Sequence, residues 1–264
     1  MISKPVIVTA LFDIGRERWD SFSASYHTYL WWLKNTLSLD ANFVIYTDNR
    51  FYYDILEIRK EFDPTMTKSK VIKCTLEHLP AYLKYNKRME ILMYSNKFKE
   101  KINFLVPEMT KPLYNTITFN KLFFIKDAKD HNYFNSDLYI WVDAGGLRED
   151  IKNFKGITWP NLTILNKKIP KDKISLFTHH SDFFIDNKES HAMSQMRYIQ
   201  GGSLFCPPEL IDNFCDNFNN TVRKCLDNSY IGSDEKIFDI LYVNNKNLYN
   251  LIKSNWRGYF DIFK

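Results

Sequence analysis

The chain has no apolar run long enough to cross a bilayer, no paired-cysteine spacing, no glycine-rich phosphate loop and no block of basic residues. Each absence removes a class of protein. The most conspicuous uncharged stretch, Ser21 to Leu33, is too short and too polar to span a membrane. Only eight uncharged residues separate Lys4 from Asp13, so the N-terminus reads as a strand and not as a signal peptide. Cys74, Cys206, Cys215 and Cys225 form no CxxC or metal-finger pattern, and Cys215 and Cys225 fall on the apolar positions of a helix. Such usage suits a reducing compartment, and a soluble cytoplasmic protein is expected. GxGxxG and GxxxxGK[ST] are both missing, which leaves neither a typical dinucleotide site nor a P-loop. Charges of both signs are interspersed to a net +5, without the basic and aromatic interleaving of nucleic-acid binders. No nucleic-acid partner is expected. The mildly basic balance favours anionic ligands and at most peripheral contact with anionic lipid.

What is present in excess is aromatic: 16% of the 264 residues, with 21 Phe, 16 Tyr and 6 Trp. This suits tight packing or stacking on rings and sugars. The most telling segment is Leu138-Tyr139-Ile140-Trp141-Val142-Asp143-Ala144-Gly145-Gly146. Five apolar residues without a break are too few for a buried helix and predict a strand covered on both faces, hence a parallel or mixed α/β sheet. Asp143 then stands at a strand's carboxyl end, where open α/β sheets bind ligands, and the small residues after it permit close approach to the backbone. Strands are also expected at 5–12, 42–47, 71–76, 162–165, 174–178 and 197–205. Helices are expected from Trp19 to Leu37, over 51–62, largely over 80–104, from Pro112 past Phe124, over 209–226 and after Ser233. The opening βαβαβ pattern predicts parallel strands with right-handed crossovers. With no repeat, low-complexity segment or linker, residues 1–264 read as one domain.

The chain resembles the bacterial HtrL/YibB-type family, to which a GT-A-like glycosyltransferase fold is assigned. The resembling segments are Val8 to Asp13 with Arg16 and Arg18, Tyr46-Thr47-Asp48, Trp141 to Gly145 with Arg148, Gln200-Gly201-Gly202, and Ser233-Asp234-Glu235. The resemblance implies a Rossmann-type, mostly parallel central sheet flanked by helices, with a smaller mixed C-terminal part. Residues 1–150 would be the nucleotide-binding half and 151–264 the acceptor-binding half. The implied activity is transfer of a sugar from a nucleoside-diphosphate sugar, UDP first, to a surface glycan or lipid-linked acceptor. A non-catalytic nucleotide- or carbohydrate-binding protein on the same fold is the alternative.

The same resemblance distributes the site. Thr9, Ala10, Asp13 and Arg16 would cradle the nucleotide, with Arg16 able to pair bidentately with phosphate, and Asp48 would approach base or ribose. Asp143, Ala144 and Gly145 would lie at the diphosphate, with Lys121 as a further phosphate contact. Gly201, Gly202 and Glu235 would face donor or acceptor sugar, and Asp234 would orient the acceptor or serve as base. A divalent cation, Mn2+ or Mg2+, would neutralise the leaving diphosphate on Asp143. No second Asp follows in the motif, and one residue of His179-His180-Ser181-Asp182, nominally His180, could replace it. Plainer alternatives stand beside each assignment: turn capping for Asp143 and Asp48, snorkelling for Lys121, a strand bend at Gly201-Gly202, helix initiation for Asp234 and Glu235, and a polar loop for the histidines.

Overall fold

The apolar segment 138–142 is a strand buried along its whole length, inside a seven-stranded sheet. This computed structural model describes residues 1–102, 105–180, 183–255 and 258–264. In chain order the strands are β1 (Pro5–Leu11), β2 (Asn42–Thr47), β3 (Ser69–Lys73), β4 (Leu138–Val142), β5 (Ile174–Thr178), β6 (Ile199–Cys206) and β7 (Tyr249–Lys253). Across the sheet they lie β3-β2-β1-β4-β6-β5-β7. β1 pairs in parallel with β2 and β4, β2 with β3, and β5 with β7, whereas β6 is antiparallel to both its neighbours. Only β6 runs against the rest. From β1 the chain builds outward through β2 and β3, then returns to β4 on the other side of β1, so a topological switch point opens between β1 and β4.

Helices cover both faces: α1 (Tyr26–Leu37), α2 (Tyr52–Phe62), α3 (Lys87–Tyr94), α4 (Asn96–Lys101), α5 (Pro107–Thr110), α6 (Pro112–Phe119), α7 (Lys121–His131), α8 (Leu162–Lys168), α9 (Lys188–Ala192), α10 (Pro208–Asp227), α11 (Asp234–Asn244) and α12 (Gly258–Ile262). Strand alternation divides the core. Val6, Val8 and Ala10 of β1 join the cluster that contains Phe124, Phe214 and Phe238 of α7, α10 and α11. Ile7 and Leu11 join the opposite cluster, with Leu33, Ile55 and Phe260 of α1, α2 and α12. On the first face Phe124 is stacked among Tyr46, Phe12 and Trp141 at centroid distances of 4.6, 5.8 and 6.1 Å. The aromatic excess is thus spent partly on fixing α7 against the carboxyl ends of β1, β2 and β4.

The mostly parallel, helix-flanked sheet agrees with expectation, and α10 buries Cys215 and Cys225 on its inner face as its spacing predicts. Among the described residues no helix is long and apolar enough to cross a membrane. Several elements differ. α1 begins at Tyr26, not Trp19, because Ser25 accepts the Thr28 N–H and caps it; before it lie a 3-10 turn at Arg16–Arg18 and Phe22 with φ 58°. The helix expected from Pro112 past Phe124 breaks at Asn120, whose side chain donates to Thr116 O and accepts the Ala81 N–H. β3 lies two residues earlier than expected, starting at Ser69. β7, α9 and α12 are short and carry little periodicity, so none was expected. The 80–104 segment divides into a π-turn at Tyr82–Asn86 followed by α3 and α4; residues 103 and 104 lie outside the described residues.

The clearest reversal is 162–165, expected as a strand and found as the start of α8. The Asn161 side chain accepts the N–H groups of both Thr163 and Ile164, and an N-cap of this kind overrides a short apolar pattern. Asn161→Ala should therefore cost about 1 kcal/mol of stability in urea unfolding. Asn161→Ser should restore most of it, and an unchanged midpoint for the alanine variant would show that the cap does not hold α8.

Candidate functional site

A cavity of about 200 Å³ occupies the switch point. Its floor comes from Ala10 to Phe12 at the end of β1, from Trp141 and Asp143 to Gly146 after β4, and from Gln200 and Gly202 of β6. Its walls include Tyr26 and Tyr29 of α1, Tyr114, Ile117 and Thr118 of α6, and Tyr259 of α12. The turn after β4 is tight: the Gly146 N–H donates to Asp143 O at 2.8 Å. A Cβ on Gly146 would collide with the Tyr259 hydroxyl, and one on Gly145 would sit 3.3 Å from the Trp32 ring. The small residues after Asp143 thus admit the cavity's own aromatic walls as well as the space in front of them.

Beneath this floor Lys121, the first residue of α7, joins three elements. Its ammonium lies 3.0 Å from Asp143 Oδ1 and donates to Asp234 Oδ2 at 2.7 Å and to the Gly201 carbonyl at 2.8 Å. All three donors of the group are used. Burial opposes the charge, but Asp143 and Asp234 outweigh it and raise the Lys121 pKa. Asp143 Oδ1 also accepts the Trp141 indole N–H at 2.6 Å, and its carboxylate is partly exposed to the cavity. Asp234 and Glu235 lie deeper, at 3% and 8% exposure. Burial raises the Asp234 pKa, with Lys121 offsetting only part of it. Glu235 Oε1 accepts the Gly201 N–H at 3.1 Å and Oε2 lies 3.3 Å from Arg197 Nε. Burial, then the Asp234 charge, push its pKa to about 7 against the pull of Arg197.

Gly201 is the hinge of this arrangement. β6 slips its register against β5 between the Leu176–Leu204 and Phe177–Gln200 pairs, which leaves 201–203 unmatched there, while Ser203 still pairs with Val142 on the β4 side. Gly201-Gly202 thus lies in a bulge of β6. A Cβ on Gly201 would lie 2.7 Å from Asp234 Oδ2, so the missing side chain makes room for a carboxylate of α11; Gly202 has open space and faces the cavity.

At the rim, Arg16 lies over three rings, Trp19, Tyr29 and Tyr114, at 5.2, 5.4 and 5.7 Å. Its loop is held from below. The Tyr26 hydroxyl accepts the N–H groups of Ile14 and Arg16, and burial pushes the Tyr26 pKa up to about 12. Asp13 accepts the Gly15 N–H at 2.8 Å, where φ is +74°, and Arg50 bridges Asp13 and Glu17 at 2.6 and 2.8 Å. Asp48 accepts the Asp13 N–H at 2.5 Å and the Arg50 N–H at 2.9 Å. On the other side of the rim Arg148 lies 4.2 Å from the Trp32 ring and donates from Nε to Gly145 O at 2.7 Å.

The structure therefore gathers Ala10, Arg16, Lys121, Asp143, Ala144, Gly145 and Gly202 around one cavity and places the remaining expected residues elsewhere. Thr9 is fully buried in the strand below it. Asp13 and Asp48, expected at the nucleotide, are committed to the loop that carries Arg16. Asp234, Glu235 and Gly201 sit behind Lys121, and the open helix start suggested for the two acids is in fact a buried one. His180 packs edge-on against Tyr198 and donates its backbone N–H to Thr178 Oγ1, outside the cavity lining; Ser181 and Asp182 lie outside the described residues. Arg148 went unassigned from sequence, although it follows the Asp143 motif by five residues.

A divalent cation fits these residues poorly. Among the described residues no three His, Cys, Asp or Glu side chains gather as a metal site; of the two expected ligands, Asp143 already pairs with the ammonium of Lys121 and His180 lies outside the cavity lining. Asp143 Oδ2 is the one oxygen of that carboxylate left toward the cavity.

This sheet order, with the cavity at its switch point, is the fold of GT-A glycosyltransferases. The galactosyltransferase LgtC, solved in complex with donor and acceptor sugar analogs, matches with a TM-score of 0.50 over 95% of this chain and 73% of that one, at 12% identity, a likeness of fold alone. The chain belongs to the HtrL_YibB family, described as bacterial protein of unknown function, whose model matches residues 3–264. It is 22% identical over 284 residues to Protein HtrL of Escherichia coli (strain K12), across the whole of this chain and 93% of that protein.

The electrostatics of the floor can be read by titration. The Glu235 pKa rises from an ordinary 4.5 to about 7, so the folded chain keeps a proton that the unfolded chain releases between those values. The stability this contributes is complete below about pH 4.5 and lost as pH rises through about 7. Glu235→Gln removes the slope and should gain on wild type by up to about 3 kcal/mol between about pH 5 and pH 8. Urea unfolding at both pH values measures this, and a difference that does not change with pH would show that Glu235 is ionised throughout.

Proposed function

We propose that this protein is a nucleotide-sugar-dependent glycosyltransferase that moves a sugar from a nucleoside-diphosphate sugar, UDP-linked first, to a glycan or lipid-linked acceptor. One observation carries the reading. The switch-point cavity is walled by rings, holds three cations on its lining, Arg16, Lys121 and Arg148, and has Asp143 as the sole carboxylate among the lining residues described. Likeness of fold to a galactosyltransferase supports the class, and four thiols without disulfides suit a cytoplasmic location.

In the proposed reaction the bond from sugar C1 to the diphosphate oxygen breaks, and its electron pair goes to the phosphate. The cations of the lining stabilise the charge that develops there. The acceptor hydroxyl bonds to C1 and its proton goes to Asp143, the carboxylate with an oxygen open to the cavity. Asp234, buried under Lys121, has no surface on the cavity and acts as a positioning residue: it holds the ammonium, which in turn fixes Asp143. Tyr29 and Tyr114 supply rings against which base or sugar can lie.

Incubation of the full chain with UDP-, GDP- and CDP-sugars and glycan or lipid-linked acceptors should release nucleoside diphosphate for one pairing. Asp143→Asn should keep nucleotide affinity within a few-fold and lose roughly a hundredfold or more in turnover. Nucleotide binding without release in any pairing would make this a binding protein on the same fold. Near-normal turnover in a folded Asp143→Asn variant would remove Asp143 from the chemistry.

A further inference from the structure

The cavity's charge has a sign, and it is positive. Of the ionised groups on the described lining, Arg16, Lys121 and Arg148 stand against Asp143 alone, and even with the buried Asp234 counted the cations are in excess. A site built to recruit a divalent metal has the opposite character: carboxylates that repel one another until the ion arrives. Here one ammonium already lies between the two acids and offsets one of their charges, and the pair of guanidinium groups at the rim carries the balance over to positive.

Those two groups are prepared in the same way. Each has its Nε directed to a backbone carbonyl, Arg16 to Phe22 O at 3.3 Å and Arg148 to Gly145 O at 2.7 Å. Among the described residues neither is paired with a carboxylate, and neither directs an Nη group to a protein acceptor. Each guanidinium is packed on aromatic faces, which restrict its plane without supplying an acceptor. The rings that carry them are one helical turn apart on α1: Tyr29 under Arg16 and Trp32 under Arg148, in edge contact with each other at 5.2 Å. Tyr29 feels the charges of Arg16, Arg148 and Asp143 together, so the three groups converge on one wall.

We infer that Arg16 and Arg148 are the diphosphate clamp of this protein, and that they take the place a divalent cation would fill, so that nucleoside diphosphate binds without metal. The inference rests on the glycosyltransferase reading for the identity of its ligand. Each planar fork offers two parallel N–H donors to phosphate oxygens, and the pre-oriented charge is available without assembling an ion from solution. Lys121 serves the same sign from beneath, although its three donors are already committed.

The test is calorimetry on the full chain with UDP, GDP and CDP, each in EDTA and again in MnCl2. For the nucleotide that binds, the dissociation constant should agree within about threefold between the two buffers, a difference of less than about 1 kcal/mol. Arg16→Met and Arg148→Met should each weaken it by roughly tenfold to a hundredfold, the loss expected for charge-assisted hydrogen bonds. Arg16→Lys and Arg148→Lys keep charge and bulk but lose the fork; they should fall between, which separates a clamp from a fold that has failed. Binding that requires MnCl2, or that ignores both arginine substitutions, would overturn the clamp and leave the glycosyltransferase reading intact. Absence of binding by all three nucleotides in both buffers would overturn both. Metal-free, arginine-dependent binding without transfer in any donor and acceptor pairing would support the clamp and count against the enzyme.

Discussion

Everything in the site hangs from one buried ammonium. Lys121 is 4% exposed, yet it is charged, because Asp143, Asp234 and the Gly201 carbonyl replace the water it gives up. Removing one partner from such a group leaves the others uncompensated in a dry interior, at a cost of about 3–5 kcal/mol. The residue therefore connects the start of α7, the end of β4, the middle of β6 and the start of α11 with more force than their apolar contacts alone. It also fixes what the cavity offers a ligand: one carboxylate oxygen of Asp143, held in place from behind.

Above that floor the position of charge is controlled by rings and by backbone. The loop carrying Arg16 has little regular structure, and its shape is imposed by the Tyr26 hydroxyl, by the Asp13 turn and by Arg50 spanning two acids while lying 4.6 Å over the Tyr26 ring. Asp48 closes the far end. These are surface ion pairs of small individual value, but together they leave the loop few alternatives. Arg148 needs less support, since Trp32 and the Gly145 carbonyl fix it directly. Two arginines on unrelated loops thus reach one wall of the cavity because α1 presents Tyr29 and Trp32 three residues apart.

What could be read from sequence follows the range of the interactions involved. β4 and Asp143 were legible because five apolar residues and the acid that ends them are contiguous, and β2 and α10 for the same local reason. The charge of Lys121 within an apolar helix pattern was visible, but its role was not: Asp234 lies 113 residues away and Gly201 lies 80 away. The resemblance assigns Asp234 to the acceptor while its local pattern reads as a helix start, and local signals cannot reveal that α11 is buried over its first turns. Asp13 and Asp48 are assigned to the nucleotide by resemblance, and no local signal shows that both also spend hydrogen bonds on the loop between them. Arg148 stands beside the Asp143 motif in the sequence but carries no assigned role, since its significance depends on Trp32, on another element altogether. Asn161 shows the limit from the other side, a single capping side chain turning an apolar tetrapeptide from strand to helix.

The reversed strand gives the site its rigidity. In a wholly parallel sheet the place beside Asp143 would belong to another strand's carboxyl end, and the groups there would come from a loop. Because β6 runs the other way, its interior reaches that edge: Gly202 O accepts the Asp143 N–H at 2.9 Å, carrying the ladder one residue past β4. The bulge at Gly201-Gly202 then frees one peptide N–H for Glu235 and one carbonyl for Lys121 without ending the strand. Mid-strand backbone is less mobile than loop backbone, since it is paired on at least one side. The floor of the cavity is therefore fixed by sheet hydrogen bonds, while the rim, where Arg16 and Arg148 stand, is fixed by side-chain hydrogen bonds and ring contacts. What enters this cavity meets a base set by the sheet and an edge set by side chains from separate loops.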